Sequence, residues 1–216
     1  MKLCRIMLVD NDAFTRASLS QALERFNIDV VINAASAAEA LELFEHTQVD
    51  VALLDLDLGI GPSGIDLAYA LRGRQPEIGI VMLTSYRDPR LAAAGSRELP
   101  VGTAYLAKRD VTDMQLVVEE LLSVRNKPLA RRTSKVDLSK TLQNFTDVQI
   151  EILRMVGEGL STSEIAARRG VSEKAIEQGI SRIYELLDLE KEKSLNQRVQ
   201  LVQAYYLHIG KLDSNG

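Results

Sequence analysis

The chain of 216 residues has no tryptophan, one cysteine and only five prolines, and aromatic residues make up 5% of it. A lone thiol excludes an internal disulfide, so Cys4 fits a reducing, cytoplasmic setting. Uninterrupted apolar runs stop after a few residues, as at Val51 to Leu54, whereas a bilayer-spanning helix needs roughly 20. No membrane segment is expected. The opening Met1–Val9 loosely imitates a signal peptide, but Arg5 splits it and Asp10-Asn11-Asp12 ends it early, so it reads as a buried strand. With 46% apolar and 26% charged residues, the composition excludes disordered, collagenous and disulfide-scaffold classes. The length accommodates one large domain or two smaller ones.

Charge is unevenly spread. The whole chain is −4, residues 1–125 are −6 and residues 126–216 are +2. Within the second part, 126–140 is +4 and 141–190 is −4. An acidic module is followed by a basic connector and then by a segment that is itself acidic.

Short β-branched and aliphatic runs recur at Arg5–Val9, Asp29–Asn33, Asp50–Leu54, Gly79–Leu83 and Thr103–Ala107. The stretches between them have helical spacing, and Ser36-Ala-Ala-Glu39 and Ser63-Gly-Ile-Asp66 have the form of capping boxes. Five strands alternating with five helices predict a doubly wound α/β domain over 1–125, its parallel sheet covered on both faces. Residues 126–144, with Pro128, Arg131, Arg132, Thr133 and Ser134, read as a linker. Beyond it the spacing is helical throughout 145–210. Thr146-Asp-Val-Gln149 and Ser161-Thr-Ser-Glu164 open two helices, Gly170 ends the second, a longer helix runs to about Leu187, and a last one spans about 194–209. The short helix, glycine turn and longer helix form a helix-turn-helix candidate.

In a doubly wound sheet, polar residues that end successive strands converge in the crevice at the carboxyl edge. Here they are Asp10-Asn11-Asp12, Asp55, Thr84-Ser85 and Lys108. Gathered carboxylates call for a cation, and Mg²⁺ favours a few carboxylates with water and phosphate oxygens. That chemistry suits phosphoryl transfer to a carboxylate, with Asp55 attacking phosphorus, Lys108 supplying charge and Thr84 donating a hydrogen bond.

The pieces Leu8-Val9-Asp10, Leu53-Leu54-Asp55 before a loop ending at Gly64, Met82-Leu83-Thr84-Ser85 and Tyr105-Leu106-Ala107-Lys108 resemble the receiver domain of two-component response regulators, in order and spacing. The resemblance implies a flavodoxin-like fold with Asp55 as phosphoacceptor, Mg²⁺ held among Asp10, Asn11, Asp12 and Asp55, and Thr84, Lys108 and Tyr105 sensing the phosphoryl group. A histidine kinase would be the donor, and the domain would be a switch without enzymatic activity of its own. Asn11 stands where the family commonly has a second acid, and the loop after Asp55 is one residue longer, with Gly59 in place of a common Pro. Residues 51–57 also resemble the strand-then-DxD signature of haloacid-dehalogenase-like phosphatases, in which Asp55 would be nucleophile and Asp57 acid/base.

Phe145 to Ser161, Glu164-Ile165-Ala166 and Gly170-Val171-Ser172 resemble a LuxR-type DNA-binding domain over about 143–209. That likeness implies promoter DNA as partner and control of transcription, through Arg168, Arg169, Lys174, Arg182 and, as a reader of cytosine N4, Glu177. Where the family carries a basic residue and then a His in the reading helix, this chain has Glu177 and Gly179, and Glu185 replaces a later Lys. A protein-binding or weakened helix-turn-helix is therefore the alternative output. Leu195, Val199, Val202, Tyr206 and Ile209, spaced 4, 3, 4 and 3, fit either an internal core or the seam of a homodimer formed on activation.

Overall fold

A computed structural model of the chain describes residues 4–86, 88–91, 98–111, 113–130, 142, 144–189 and 196–209. Linker residues 131–141, which include Arg131 and Arg132, lie outside this description, as does Leu195. The chain forms two compact units, 1–85 with 97–136 and 86–96 with 137–216. Among the described residues no helix is long and apolar enough to cross a membrane.

The first unit is built on five parallel strands: β1 (Cys4–Val9), β2 (Ile28–Ala34), β3 (Val51–Leu54), β4 (Gly79–Thr84) and β5 (Ala104–Ala107). Their spatial order is β2-β1-β3-β4-β5, so the winding reverses beside β1. Register carries Val9 to Leu54, Leu54 to Met82 and Thr84 to Ala107, which aligns the carboxyl ends of all the central strands. β3, β4 and β5 are buried along their whole length, as expected of a sheet covered on two sides. Helices α1 (Ala13–Glu24) and α4 (Met114–Asn126) pack on one face, where Ile6, Leu8, Leu53, Val81 and Leu83 meet Val117, Leu121 and Val124. Helices α2 (Ala37–Phe44) and α3 (Gly64–Arg74) pack against each other and against the strands on the opposite face. Ser63 and Asp66 form the reciprocal capping box that the sequence signals. At α2, Ser36 accepts from the Glu39 N–H, but Glu39 reaches back to the amide of Ala35.

Five helices are expected around this sheet, and four accompany it among the described residues. In the segment after β4 the described residues Pro89–Leu91 make a 3₁₀ turn, which groups with the second unit, and residues 87 and 92–97 lie outside the description. Arg90 of this turn donates to the Phe145 carbonyl at 3.0 Å and to the Leu142 carbonyl at 2.9 Å in the same unit.

The second unit holds α5 (Asp147–Gly157), α6 (Thr162–Arg169), α7 (Glu173–Leu186) and α8 (Gln197–His208). Capping boxes start α5 and α6, and Gly170, at φ +65°, closes α6 in the left-handed conformation that a glycine adopts without cost. The core joins Ile150, Leu153 and Val156 of α5 to Ile165, Ile176, Ile183, Leu201 and Tyr205. The α5–α8 approach is so close that a Cβ on Gly157 would lie 2.1 Å from the Tyr205 ring. Gly157→Ala should therefore destabilise this unit by about 1–3 kcal/mol, the usual cost of overpacking, and leave the sheet unit unaffected. Urea unfolding followed by residue-resolved amide exchange measures this. An unchanged helical unit would contradict so tight a packing.

Candidate phosphoacceptor site and helix-turn-helix face

The sheet brings Asp10, Asp55, Thr84 and Lys108 together. Asp10 follows β1, and Asp55 follows β3 with its backbone N–H donating to the Val9 carbonyl at 2.8 Å. Both carboxylates are buried, Asp10 to 2% and Asp55 to 8% exposure. The Lys108 ammonium, just past β5, donates to Asp10 Oδ2 at 2.6 Å and to Asp55 Oδ2 at 2.8 Å. Two like charges out of water repel each other, and a shared cation at this distance offsets that repulsion. The second Asp55 oxygen accepts the Leu56 N–H at 2.6 Å, and the fully buried Thr84 side chain also hydrogen-bonds to this carboxylate.

Arg16, a residue that the sequence does not single out, holds the Asp10 end of the crevice. Its Nη1 donates to the Asp10 carbonyl at 2.6 Å and its Nε to Asn33 Oδ1 at 3.0 Å. Its position one turn into α1, after Asp12, is the only signal in the sequence. Asp12 is committed to the start of α1, where it accepts the Thr15 N–H at 2.6 Å; that hydrogen bond lowers its pKa. Asn11 is exposed and faces the β3–α3 loop, where a Cβ on Gly59 would lie 3.4 Å from Asn11 Nδ2. Gly64 ends that loop with no room for a side chain, since a Cβ there would lie 2.0 Å from the Asp55 carbonyl oxygen. Asp57 accepts the Gly59 N–H at 3.0 Å and stays exposed. Tyr105 is buried in β5, paired in register with Met82.

Among the described residues no three His, Cys, Asp or Glu side chains cluster closely enough to hold a metal by themselves. The donor set is instead two carboxylates, Asp10 and Asp55, turned toward one cation. Mg²⁺ commonly takes such a pair, with water and phosphate oxygens completing its shell. By donor chemistry these two residues fit the ion, and Asp12 uses its Oδ1 to cap α1.

In the second unit, α7 presents Lys174, Glu177, Gln178, Ser181, Arg182 and Glu185 along one open depression. Gln178 and Ser181 join the face without having been singled out in the sequence, since uncharged residues carry no charge signal. Arg182 pairs with Glu185 at 2.7 Å, both well exposed. Arg168 is exposed on α6, but Arg169 is mostly buried and ion-paired with Glu151 of α5. Gly179 lies on the inner side of α7, where a Cβ would meet Ile152 Cδ1 at 2.8 Å. On α8, Leu201, Ala204 and Tyr205 fill the unit's core, Val199 is exposed, and Val202 and Tyr206 are half-buried.

Burial raises the Asp55 pKa, against the opposing pull of Lys108 and Thr84. An aspartate whose pKa is higher folded than unfolded costs stability once ionised, so the penalty grows as pH rises from the ordinary value of 3.8 through the raised one. Asp55→Asn should consequently melt higher than wild type at neutral pH. The gap should close as the solution is acidified below the ordinary carboxylate range. A variant that melts lower at neutral pH would show that the Lys108 pairing outweighs burial.

Comparison with known proteins covers both units. The model of the response regulator receiver domain matches residues 6–109, and that of bacterial regulatory proteins of the luxR family matches residues 143–202. The DNA-binding transcriptional activator DevR/DosR of Mycobacterium tuberculosis is 30% identical over 198 residues, which covers 87% of this chain and 89% of that protein. Among solved structures, RcsB of Salmonella enterica serovar Typhimurium bound to promoter rprA with the phosphomimetic BeF3− aligns with a TM-score of 0.60 at 16% identity. That alignment covers 96% of this chain and 100% of RcsB. A structure of two RcsB dimers bound to two parallel DNAs aligns at 0.57 and 18%, covering 95% and 98%. At such identities the solved structures speak to the fold. The two adjoining family models and the relative matched along nearly its whole length place the chain among the response regulators that join a receiver domain to a LuxR-type helix-turn-helix domain.

Proposed function

We propose that Asp55 accepts a phosphoryl group from the phosphohistidine of a partner kinase and that this controls promoter binding by α7. The observation that carries the proposal is the Lys108 ammonium shared by two buried carboxylates at the carboxyl edge of the sheet. An Asp55 oxygen attacks phosphorus, the phosphorus–nitrogen bond of the donor breaks, the imidazole leaves and an aspartyl phosphate remains. Lys108 and Thr84 meet the added oxygens, and Arg16 keeps the Asp10 end in position. Asp10 and Asp55 would hold Mg²⁺, which supplies neutralising charge to the phosphoryl oxygens. Tyr105, one strand over from Thr84, would respond to the shift. Full-length relatives that are transcription regulators support a switch rather than an enzyme acting on small esters.

On DNA, Arg168, Lys174 and Arg182 supply the phosphate contacts and Glu177 stands where it can accept from cytosine N4. Arg169 contributes by tying α6 to α5. The face is otherwise balanced by acids, so affinity draws on few cations. Val199, Val202 and Tyr206, outside the α8 core stripe, form the seam of a homodimer on paired half-sites.

The test is a genome-wide pull-down of bound DNA, then titration of an enriched site across salt concentrations with and without acetyl phosphate and Mg²⁺. Three phosphate contacts predict a slope of log K against log salt of about −3 per protomer, and Lys174→Ala should flatten it by about 1. Phosphorylation should tighten binding in wild type and leave Asp55→Asn unaffected. No binding at low salt would turn the output reading to a protein-interaction module, and an unchanged slope in Lys174→Ala would remove that residue from the interface.

A further inference from the structure

The pairing of β1 with β2 has a break. Cys4, Arg5 and Ile6 face Ile28, Asp29 and Val30 in turn, but Met7 faces Ile32, so Val31 is an extra residue in β2. Such a bulge turns every later side chain of its strand to the other face. Without it Leu8 would stand opposite Ile32; with it Leu8 stands opposite Asn33. Leu8 lies on the face of the sheet that α1 and α4 cover. The bulge therefore sets a polar residue beside α1 where an unbroken strand would have set an isoleucine.

Asn33 uses its side chain there. Its Oδ1 accepts Arg16 Nε at 3.0 Å and its Nδ2 donates to Ser20 Oγ at 3.1 Å, and these two partners lie one turn apart on α1. Arg16 Nη1 in turn donates to the Asp10 carbonyl at 2.6 Å. One guanidinium thus ties β2 and α1 to the backbone that follows β1. The planar fork matters, since Nε and Nη1 serve two partners at a fixed angle, whereas lysine offers a single nitrogen. The peptide held in this way carries the Asp10 side chain, which gives Oδ1 to the Asp12 N–H at 2.9 Å and Oδ2 to Lys108 at 2.6 Å.

We propose that Arg16, braced by Asn33, is a positioning residue for Mg²⁺: it fixes the Asp10 backbone so that this carboxylate stays turned toward the cation it shares with Asp55. The inference rests on the reading of Asp55 as phosphoacceptor and of Asp10 as its partner in holding the metal. Charge and geometry make opposite demands here. A guanidinium beside the crevice repels a divalent cation, so by charge alone its loss would tighten Mg²⁺ binding. By positioning, its loss weakens binding, and groups that orient metal ligands are typically worth roughly 10–100-fold in affinity.

Calorimetric titration of the full-length protein with Mg²⁺ separates the two. Arg16→Lys keeps the charge and loses the fork, and Asn33→Ala keeps the guanidinium and loses its rest. Each should weaken Mg²⁺ binding about ten-fold. The double variant should be no weaker than either, because both act on one brace. Arg16→Met, which removes the charge as well, should still bind more weakly than wild type. The Mg²⁺ concentration that gives half-maximal labelling by acetyl phosphate should rise by the same factor, and without metal the Asp12 amide should exchange faster in every variant. Wild-type affinity in Arg16→Lys and Asn33→Ala overturns the brace, and so do tighter binding in Arg16→Met or losses that multiply in the double variant. A wild-type chain that binds no Mg²⁺ sinks the metal reading instead, and unchanged Asp12 exchange in the variants would then overturn the brace on its own.

Discussion

The Lys108 ammonium between Asp10 and Asp55 is the interaction on which the receiver half depends. Parallel strands that end in register deliver two carboxylates to the same buried edge, where a shared cation offsets their mutual repulsion. Lysine meets that need with a mobile point charge, able to follow oxygens that are added to one of the carboxylates. Around the trio the neighbours are fixed. Arg16 holds the backbone after Asp10, the Gly64 contact fixes the loop after Asp55, and Thr84 is fully buried. A rigid surround with one adjustable cation is what a phosphoryl switch requires.

The helical half follows a different constraint. Its core is tight, with Gly157 under Tyr205 and Gly179 over Ile152, but its outward face has little positive charge to spare. Arg169 goes to Glu151, and Arg182, though well exposed, shares its charge with Glu185, so Lys174, Arg168 and Arg182 are the exposed cations of this face. Each cation on such a face could contribute only one phosphate's worth of counterion release, so the proposed DNA binding would have to draw on base contacts and on a second copy as well. The reading of α7 as a DNA helix and the acidity of residues 141–190 are compatible on those terms.

Much of this was legible before the structure. Strands without a polar face belong to a sheet covered on both sides, so β3, β4 and β5 declare themselves, and the Ser63, Thr146 and Ser161 caps mark helix starts within a residue. The convergence of Asp10, Asp55 and Lys108 follows once the strands are parallel. What the residues could not reveal was the use of polar groups with several possible partners. Asp12, expected beside the metal, caps α1 with one of its oxygens, and Gly179, expected on the DNA face, lies against Ile152. Arg90 and Asp88 look like an ordinary charged turn, and the partners of Arg90 at 142–147 lie more than fifty residues away, where no local pattern points. Among the described residues after β4 the structure shows a 3₁₀ turn, and its arginine serves residues of the same unit.

The central claim is that Asp55, and no neighbouring acid, carries the phosphoryl group. It is tested most directly by treating the full-length protein with acetyl phosphate and Mg²⁺, trapping the aspartyl phosphate by borohydride reduction and locating the modified residue by peptide mass. The account predicts modification at Asp55 alone. Modification at Asp10 or Asp57, or an unmodified chain after saturating donor, would contradict it.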